Sequence, residues 1–500
     1  MPDTAQTARH PAPARQADGN VAGGPAQQAE TWIRRTIALL ARHWLFATVL
    51  AGAAALRAVV MLGYPPAMWF NDSYSYVSSA MHLSVSTARP GGYPFFLLVL
   101  RPFHSFGLVV ALQHLMGLGM GVASYALLRR RGLPAWGAAL AAVPVLYDAY
   151  QVQLEQEILS DVLFMALTTA AVVLLCWPER ISVRVAVVAG VLIGAATLVR
   201  SVGLPLLLVV VVCLLLRRVG WRPLMALVAA GAVPIAGYMF VFFVQHGEFA
   251  ITYSNGTFLY GRVQTFADCK VIKPPPPLTA LCDPRPPAQR PVATEYIWRR
   301  TNPEWKLHQG LWNSRIDGLA QSFAVRAVEA QPLAYLRAVN ADFWRSFSWS
   351  RTLAYDYRTD HLYLFSIPPP PIPPAWHVLP LLNSYQAGVS EPHAVQPFAG
   401  FLRAYQREIY LRGTLLGVIL LIGLAGVVAR WRRWGGRVLL PWLVAMLLLV
   451  LPVTVADFDY RYLLAVTPLA CLAGGLAFAR EHRAARTVSR HAQGEAIRAS

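Results

Sequence analysis

Charged side chains are scarce in this sequence. They make up 14% of its 500 residues, whereas soluble globular proteins carry about 25%. Lysine occurs only as Lys270, Lys273 and Lys306, so nearly every cation is an arginine. Hydrophobic residues account for 56%, and the mean hydropathy is +0.43. A chain of this kind is solvated mainly by lipid, which excludes an ordinary soluble protein.

The small number of acidic residues leaves a net charge of +19. A basic excess of this size can indicate a nucleic-acid partner, but here the arginines cluster in the segments between apolar runs. Loops on the cytoplasmic side of a membrane carry such clusters. The sequence therefore predicts a protein surrounded by membrane lipids, with no nucleic-acid partner. The excess of arginine over lysine, together with abundant Ala, Val and Gly, indicates a bacterial plasma membrane.

Long apolar runs are the main positive feature of the chain. A helix of about 20 residues spans the hydrocarbon core of a bilayer, and ten runs approach this length. They predict an all-α polytopic membrane protein with about ten transmembrane helices. The runs occupy residues 43–63, 106–128, 134–147, 158–177, 185–199, 204–216, 224–244, 411–429, 438–455 and 461–479.

The arginine clusters assign the connections to two sides of the membrane. They precede the first run and fill every second connection, so these segments and both termini are predicted to be cytoplasmic. The other connections face outward. The predicted organisation is a disordered cytoplasmic tail (1–30), an N-terminal transmembrane catalytic module of about seven helices (31–244) with a first outer loop (64–94), an extracytoplasmic loop domain between helices 7 and 8 (245–410), about three C-terminal transmembrane helices (411–480) and a basic cytoplasmic tail (481–500).

The predicted outer loop domain has two further features. Aromatic and aliphatic residues at helical spacing predict helices within about residues 293–350. Cys269 and Cys282 are disulfide candidates, because an oxidising exterior permits their pairing.

The first outer loop contains the stretch NDSYSY at residues 71–76. A short helix is predicted from Ser73 onward, and Asn71 can cap it by accepting backbone N–H bonds. Asp72 is then free, and it shares a helix face with Tyr76 and Ser79. A carboxylate beside hydroxyl groups suits a site that binds polyols and removes a proton from one of them. The alternative is that Asp72 is itself the cap.

A second group of carboxylates lies within residues 146–164. In one continuous helix, Asp148 and Glu155 lie on one side, and Glu157 and Asp161 lie nearly opposite. Both sets reach a single site only if the helix breaks between them. Asp161 stands in the first turn of an apolar span, where an ionisable group is costly and indicates function. The alternatives are that the helix N-terminus stabilises Asp161, and that Glu155 and Glu157 are simply solvated.

Two arginines stand on the outer side, against the general distribution. Each either extends to the membrane interface or binds a lipid phosphate bidentately. Phosphate binding is favoured for Arg200. For Arg461 the choice stays open, because Asp457, four residues earlier, is an obvious structural partner. The sequence contains no metal-ligand spacing, phosphate loop or dinucleotide-binding fingerprint. No cofactor is therefore predicted, and dependence on a divalent metal is left open.

The order of these motifs resembles a known family. NDSYSY (71–76), ILSDVLF (158–164), ATLVRSVGLPL (196–206) and RYLLAVTPL (461–469) are similar to motifs of the GT-C fold glycosyltransferases that use polyprenyl-phosphate donors. Among these, the likeness is to protein O-mannosyltransferases and aminoarabinose transferases. The outer segment LYGRVQTFADC (259–269) resembles that of actinobacterial members. The resemblance covers about residues 35–480 at the level of architecture.

The resemblance implies an inverting transfer of a sugar from a polyprenyl phosphate to an extracytoplasmic glycan, lipid or protein. It implies that Asp72 takes the proton of the acceptor hydroxyl, that Arg200 stabilises the departing phosphate, and that Asp161 orients the acceptor or sugar. Asn71 departs from the family pattern, in which many members carry two adjacent acidic residues here. The other substrate-binding candidates are Tyr76, Glu155, Glu157 and Arg461.

Two other functions are compatible with a polytopic protein. A transporter or lipid flippase also has many helices and a few intramembrane charges, but transporters often contain internal repeats and a midplane site. A non-catalytic scaffold would use the outer loop to bind a partner in the envelope. The glycosyltransferase is preferred because the acidic residues and the two exceptional arginines gather on one face.

Overall fold

The computed structural model describes residues 41–299, 303–307, 312–351, 359, 361–373 and 378–479. Within these ranges the regular structure is helical, and the only β-pairing is a bridge between Met68 and Glu157. The predicted tails at 1–30 and 481–500 lie outside the described residues.

The first half of the chain forms a bundle of apolar helices joined by short connections. Its elements are α1 (Trp44–Gly63), α2 (Asn71–His82), α3 (Gly92–Leu100), α4 (Phe106–Arg130), α5 (Ala135–Tyr147), α6 (Ala149–Gln156), α7 (Ser160–Cys176), α8 (Val183–Val199), α9 (Gly203–Leu216) and α10 (Trp221–His246).

Shorter helices follow, and three apolar helices close the chain. The intervening helices are α11 (Asn255–Gln264), α12 (Cys269–Ile272), α13 (Ala293–Trp298), α14 (Ser314–Ala330), α15 (Pro332–Arg345), α16 (Leu379–Tyr385) and α17 (Phe398–Glu408). The closing helices are α18 (Gly413–Ala429), α19 (Leu439–Val455) and α20 (Tyr460–Phe478).

Each of the ten predicted apolar runs coincides with a helix to within a few residues. Among the described residues, the helices long and apolar enough to cross a membrane are α1, α4, α10 and α20. A fifth span is formed if α17 and α18, which meet at 57°, are counted together. The other predicted spans are helices of 13–17 residues. The all-α, multi-pass fold class is therefore confirmed, while the count of ten stays a prediction.

Small residues allow the closest helix packing in the bundle. A Cβ atom on Gly190 would lie 2.3 Å from the Leu227 carbonyl oxygen, and one on Gly194 would lie 2.5 Å from the Gly231 carbonyl oxygen. The backbones of α8 and α10 therefore touch directly, as they do where small residues line contacts between membrane helices. This contact fixes the end of α8, which leads into Arg200.

The segment after α10 builds a hydrophobic core of its own. Helices α11 and α14 form most of it, with Tyr260, Phe323 and Ala324 among the fully buried residues. Cys269 and Cys282 are joined by a disulfide at its edge. The helices predicted within 293–350 are present as α13, α14 and α15.

Candidate functional site

A break between α6 and α7 shapes the site. Asp148 caps α6 by accepting hydrogen bonds from the backbone N–H groups of Tyr150 and Gln151, at 2.9 and 3.1 Å. The helix ends at Gln156, and Glu157 adopts an extended conformation before α7 begins at Ser160. The helix therefore does break between the two predicted sets of carboxylates.

Asp72 lies in the first turn of α2, but the predicted cap is wrong. The N-cap is Phe70, whose backbone N–H donates to the Ser73 hydroxyl at 3.0 Å, and Asn71 is already helical. Ser73 is the third residue of the helix, a position from which a side chain can accept a hydrogen bond from the backbone N–H of the N-cap residue. Neither Asn71 nor Asp72 is needed as a cap.

Two guanidinium groups hold the Asp72 carboxylate. Arg89 Nη2 lies 2.6 Å from Oδ1, and Arg461 Nη1 lies 3.2 Å from Oδ2. Burial raises the pKa of Asp72, but the charges of Arg89 and Arg461 together outweigh it, so the pKa falls below its ordinary value. Asp72 is therefore ionised at neutral pH, with both oxygens engaged.

The spacing offered Asp457 as a structural partner for Arg461, but the two residues do not pair in the structure. Arg461 Nε lies 3.3 Å from Asp459 Oδ2, and Asp459 also caps α20 and accepts a hydrogen bond from the Tyr363 hydroxyl at 2.8 Å. Asp457 instead accepts hydrogen bonds from the backbone N–H and the hydroxyl of Thr294. The i, i+4 pairing rule fails because α20 begins at Tyr460, after Asp457.

Arg200 pairs with Asp161. Its extended backbone at the end of α8 directs the guanidinium to the carboxylate in the first turn of α7. The ring of Tyr462 connects this pair to Asp72. The Arg200 and Arg461 guanidinium carbons lie 5.2 and 5.4 Å from its centroid.

Tyr76 completes the link between α2 and α7. Its hydroxyl lies 3.1 Å from that of Ser160, the residue before Asp161. The structure thus brings together five predicted residues, which we call the charged cluster: Asp72, Tyr76, Asp161, Arg200 and Arg461.

The other two substrate-binding candidates are buried, and each has hydrogen-bond partners outside the charged cluster. Glu155 accepts hydrogen bonds from Arg57 Nε and Nη2 at 2.7 and 2.9 Å, and it lies 2.9 Å from His114 Nδ1. Glu157 accepts one from Gln153 at 2.7 Å. Burial raises the pKa of Glu157 to about 8, and the Gln153 hydrogen bond offsets only part of this effect. Both side chains are fully buried and therefore not solvated.

A cavity of about 470 Å³ opens beside the charged cluster. Asp161, Arg200 and Tyr462 line it, whereas Asp72 and Arg461 do not, and further polar groups come from Thr252, Ser254, Asn255 and Gln321. The rest of the wall is largely apolar and comes from the start of α9, the segment around α11, and α19. Its apolar residues include Leu204, Pro205, Phe258, Leu448, Leu451, Pro452 and Val455.

Sequence reasoning missed several residues of the site. Arg89, Asp459 and Tyr462 each contact a member of the charged cluster. The sequence did contain a signal for Arg89, because it is an arginine in the predicted first outer loop, just as Arg200 is exceptional on the predicted outer side. Asp459 and Tyr462 gave no such signal, since their roles depend on where α20 begins. Within the described part of the chain, no three His, Cys, Asp or Glu side chains are grouped to hold a metal ion.

Comparisons with known proteins give structural similarities at low identity. ArnT from Cupriavidus metallidurans bound to undecaprenyl phosphate is 16% identical, with a TM-score of 0.35 over 88% of this chain and 78% of that one. The oligosaccharyltransferase AglB from Archaeoglobus fulgidus is 12% identical, with a TM-score of 0.41 over 88% of this chain and 50% of that one.

A third similar structure is the S. cerevisiae protein O-mannosyltransferase Pmt1–Pmt2 complex bound to the sugar donor. It is 16% identical, with a TM-score of 0.31 over 44% of this chain and 36% of that one. The chain thus spans about a third of the yeast chain and half of the archaeal one. No protein-family model and no curated protein sequence matches it.

Proposed function

We propose that the protein is a membrane glycosyltransferase that moves a sugar from a polyprenyl-phosphate donor to an acceptor outside the membrane, with inversion at the anomeric carbon. The charged cluster carries this proposal. Its five residues come from four separate segments of the chain, and every one belongs to a motif that resembles the polyprenyl-phosphate-dependent transferases. A scaffold would have no need for these groups to meet.

The cavity beside the cluster suits a lipid-linked sugar. It is lined by the charged groups of Arg200 and Asp161 and by apolar residues of α9 and α19. A polyprenyl phosphate has the same two parts, a charged head and an apolar chain. Arginine holds phosphate oxygens bidentately, so Arg200 is the proposed phosphate ligand.

Binding of the phosphate changes the ion pairs of the site. Arg200 is paired with Asp161, and Arg461 with Asp72, so an incoming phosphate competes with a carboxylate for each guanidinium. The Arg461–Asp72 contact, at 3.2 Å, is longer than the Arg89–Asp72 contact at 2.6 Å. Movement of Arg461 toward the phosphate would raise the pKa of Asp72 toward its ordinary value and make it a better base.

The proposed reaction is one displacement. The acceptor hydroxyl oxygen attacks the anomeric carbon, the bond from that carbon to the phosphate oxygen breaks, and the hydroxyl proton passes to Asp72. The polyprenyl phosphate leaves with its electron pair, and positioned guanidinium groups stabilise its charge by a few kcal/mol in a site that excludes water.

Substitution of Asp72 by Asn tests the role of this carboxylate. The variant should lose sugar transfer from radiolabelled polyprenyl-phosphate sugar by at least a hundredfold, because general-base catalysis contributes about 10²–10⁴-fold. Asp268→Asn is the matched control, since Asp268 caps the short α12 away from the cluster and Asn preserves a cap. A fully active Asp72→Asn variant would remove Asp72 as the base.

The proposed setting is a bacterial plasma membrane with both termini in the cytoplasm and the charged cluster on the outer face. Glycan analysis of the cell envelope with and without the protein would identify the acceptor and the sugar. An unchanged envelope glycan, lipid and glycoprotein profile would contradict the proposed function.

A further inference from the structure

Three aromatic side chains of the segment after α10 form a row beside the charged cluster. The ring centroids of Trp298 and Trp312 are 5.2 Å apart, and those of Trp312 and Phe258 are 6.5 Å apart, with tilts of 46° and 41°. Trp298 is 42% exposed although it stands at the end of a helix whose other aromatic residue, Tyr296, is fully buried. We call Trp298, Trp312 and Phe258 the aromatic row.

The two ends of the aromatic row reach the two sides of the proposed site. At one end, the Arg89 guanidinium lies 4.8 Å from the Trp298 ring centroid while it pairs with Asp72. At the other end, Phe258 lines the cavity that also holds Asp161 and Arg200. A ligand on the row therefore lies close both to the proposed base and to the proposed donor.

The helix that carries Trp298 is tied to the site at both of its ends. Thr294, near the start of α13, donates hydrogen bonds to Asp457, in the connection that leads into α20 and Arg461. Trp298, at the end of α13, covers Arg89. These contacts hold the indole ring in place relative to Asp72.

Polar groups surround the exposed indole. Arg89 Nη1 donates to the Ser75 hydroxyl at 3.2 Å. Arg299, the residue after Trp298, pairs with Glu295 of α13 at 2.9 Å. An acyl chain on this surface would remove these charged groups from water without replacing their hydrogen bonds, which is costly. A sugar ring has an apolar C–H face for the indole and hydroxyl groups for the charged rim.

We propose that the aromatic row is the acceptor subsite and that the acceptor is a carbohydrate, with one ring stacked on Trp298 and its attacking hydroxyl directed at Asp72. This inference rests on the proposed function and deepens it. It selects a glycan from the three acceptor classes that the sequence left open. The donor then enters from the cavity side, and the acceptor from the Arg89 side.

The test measures carbohydrate binding by saturation-transfer NMR on the full chain in a detergent without a sugar headgroup. The probes are cellotriose, N-acetylchitotriose, maltotriose and, for comparison, a Ser/Thr-containing tetrapeptide. At least one oligosaccharide should bind, with saturation strongest on the C–H protons of one ring. Trp298→Ala should weaken this binding about tenfold, whereas Trp298→Phe should retain most of it.

Trp344→Ala is the matched control, because Trp344 is also an exposed tryptophan of this segment but lies on α15. It should bind the oligosaccharide as the wild type does. Equal elution volumes and thermal unfolding of the variants would separate lost binding from lost folding, and Trp298→Phe keeps the test valid if Trp298→Ala unfolds.

The inference is overturned if no oligosaccharide binds, if Trp298→Ala binds as tightly as the wild type, or if the peptide binds in the same place instead. Turnover of a radiolabelled polyprenyl-phosphate sugar is measured on the same preparations. Donor turnover without oligosaccharide binding would reject the carbohydrate acceptor alone. Oligosaccharide binding without any donor turnover would reject the proposed transferase.

Discussion

Asp72, Glu155 and Glu157 are three buried carboxylates with different partners. Asp72 is ionised and faces Arg89 and Arg461. Glu155 forms a bidentate ion pair with Arg57, which balances its negative charge. Glu157 has only the Gln153 amide at one oxygen, and its other oxygen is buried without a hydrogen-bond partner among the described residues. The partners, more than burial alone, decide which of these carboxylates carries a charge.

Glu157 makes the stability of the protein depend on pH. Its folded pKa of about 8 lies above the ordinary value of 4.5, so the folded state keeps a proton that the unfolded state loses. The protonated carboxyl therefore contributes fully to the free energy of unfolding below pH 4.5. As the pH rises toward 8, the free energy of unfolding falls by a few kcal/mol. Glu157→Gln should therefore lose less stability between pH 5 and 8 than the wild type in unfolding experiments. The exposed Glu391→Gln variant serves as the control, and parallel curves for Glu157→Gln and wild type would contradict the prediction.

Asp459 is expected to be a positioning residue for Arg461. Asp459→Asn keeps a good helix cap on α20 but removes the charge that faces Arg461 Nε. Arg461 should then bind Asp72 more closely, which lowers the pKa of Asp72 and reduces kcat about tenfold. The acid limb of the pH profile of kcat/KM should move to lower pH. A loss of activity with an unmoved acid limb would indicate a purely structural role.

At the scale of helices, the buried pair of Glu155 and Arg57 anchors α6 to α1. The Glu155 carboxylate packs directly against α4 at Gly117, where a side chain would have no room. Arg57 also donates hydrogen bonds to the Leu146 and Ala53 carbonyls, at 2.8 and 3.2 Å. This network holds the short helix just before the break that positions Asp161.

Gly117→Ala should destabilise the protein, because its Cβ would lie 1.9 Å from Glu155 Oε1. Overpacking of this kind costs about 1–3 kcal/mol, and it should exceed the helix-propensity gain of about 0.5–1 kcal/mol. Gly119→Ala on the same helix is the matched control, since nothing lies within 4 Å of its Cβ. Unfolding midpoints in detergent should fall for Gly117→Ala only. Equal midpoints for the two variants would show that the Glu155 network can move freely.

At the scale of the whole molecule, the site forms where segments from both ends of the chain meet. Arg461 of α20 contacts Asp72 of α2, and Tyr363 contacts Asp459. The segment after α10 covers this meeting point through α13. The charged cluster therefore depends on the assembly of the complete bundle.

The proposed orientation can be tested by labelling cysteines from outside the cell. Val389→Cys should react with a membrane-impermeant maleimide, because Val389 is 67% exposed in the segment predicted to face outward. Arg180→Cys, exposed in a predicted cytoplasmic connection, should react only after the cells are opened. The native cysteines give little background, since two are bonded to each other and three are buried. Labelling of Arg180→Cys in intact cells would contradict the orientation.

Local composition was sufficient to predict the helical bundle. Apolar length and the positions of the arginines depend only on local composition, so all ten predicted runs coincide with helices. The same local reasoning predicted that Asp72, Asp161 and Arg200 lie on one side, and it named a helix break before Asp161 as the condition for both sets of carboxylates to reach one site. It failed for the Asn71 cap and for the Asp457–Arg461 pair, because a difference of two or three residues in where a helix begins changes which side chain meets which partner.

The partners of each charged side chain, in contrast, depend on contacts between distant segments. Arg89 pairs with Asp72 from 17 residues away, and Arg461 from 389 residues away. The side chain of Glu155 is directed to Arg57 and His114, and the indole of Trp298 to Arg89, by packing between distant helices. Composition and residue spacing cannot predict such long-range contacts, because these contacts depend on how the complete set of helices packs.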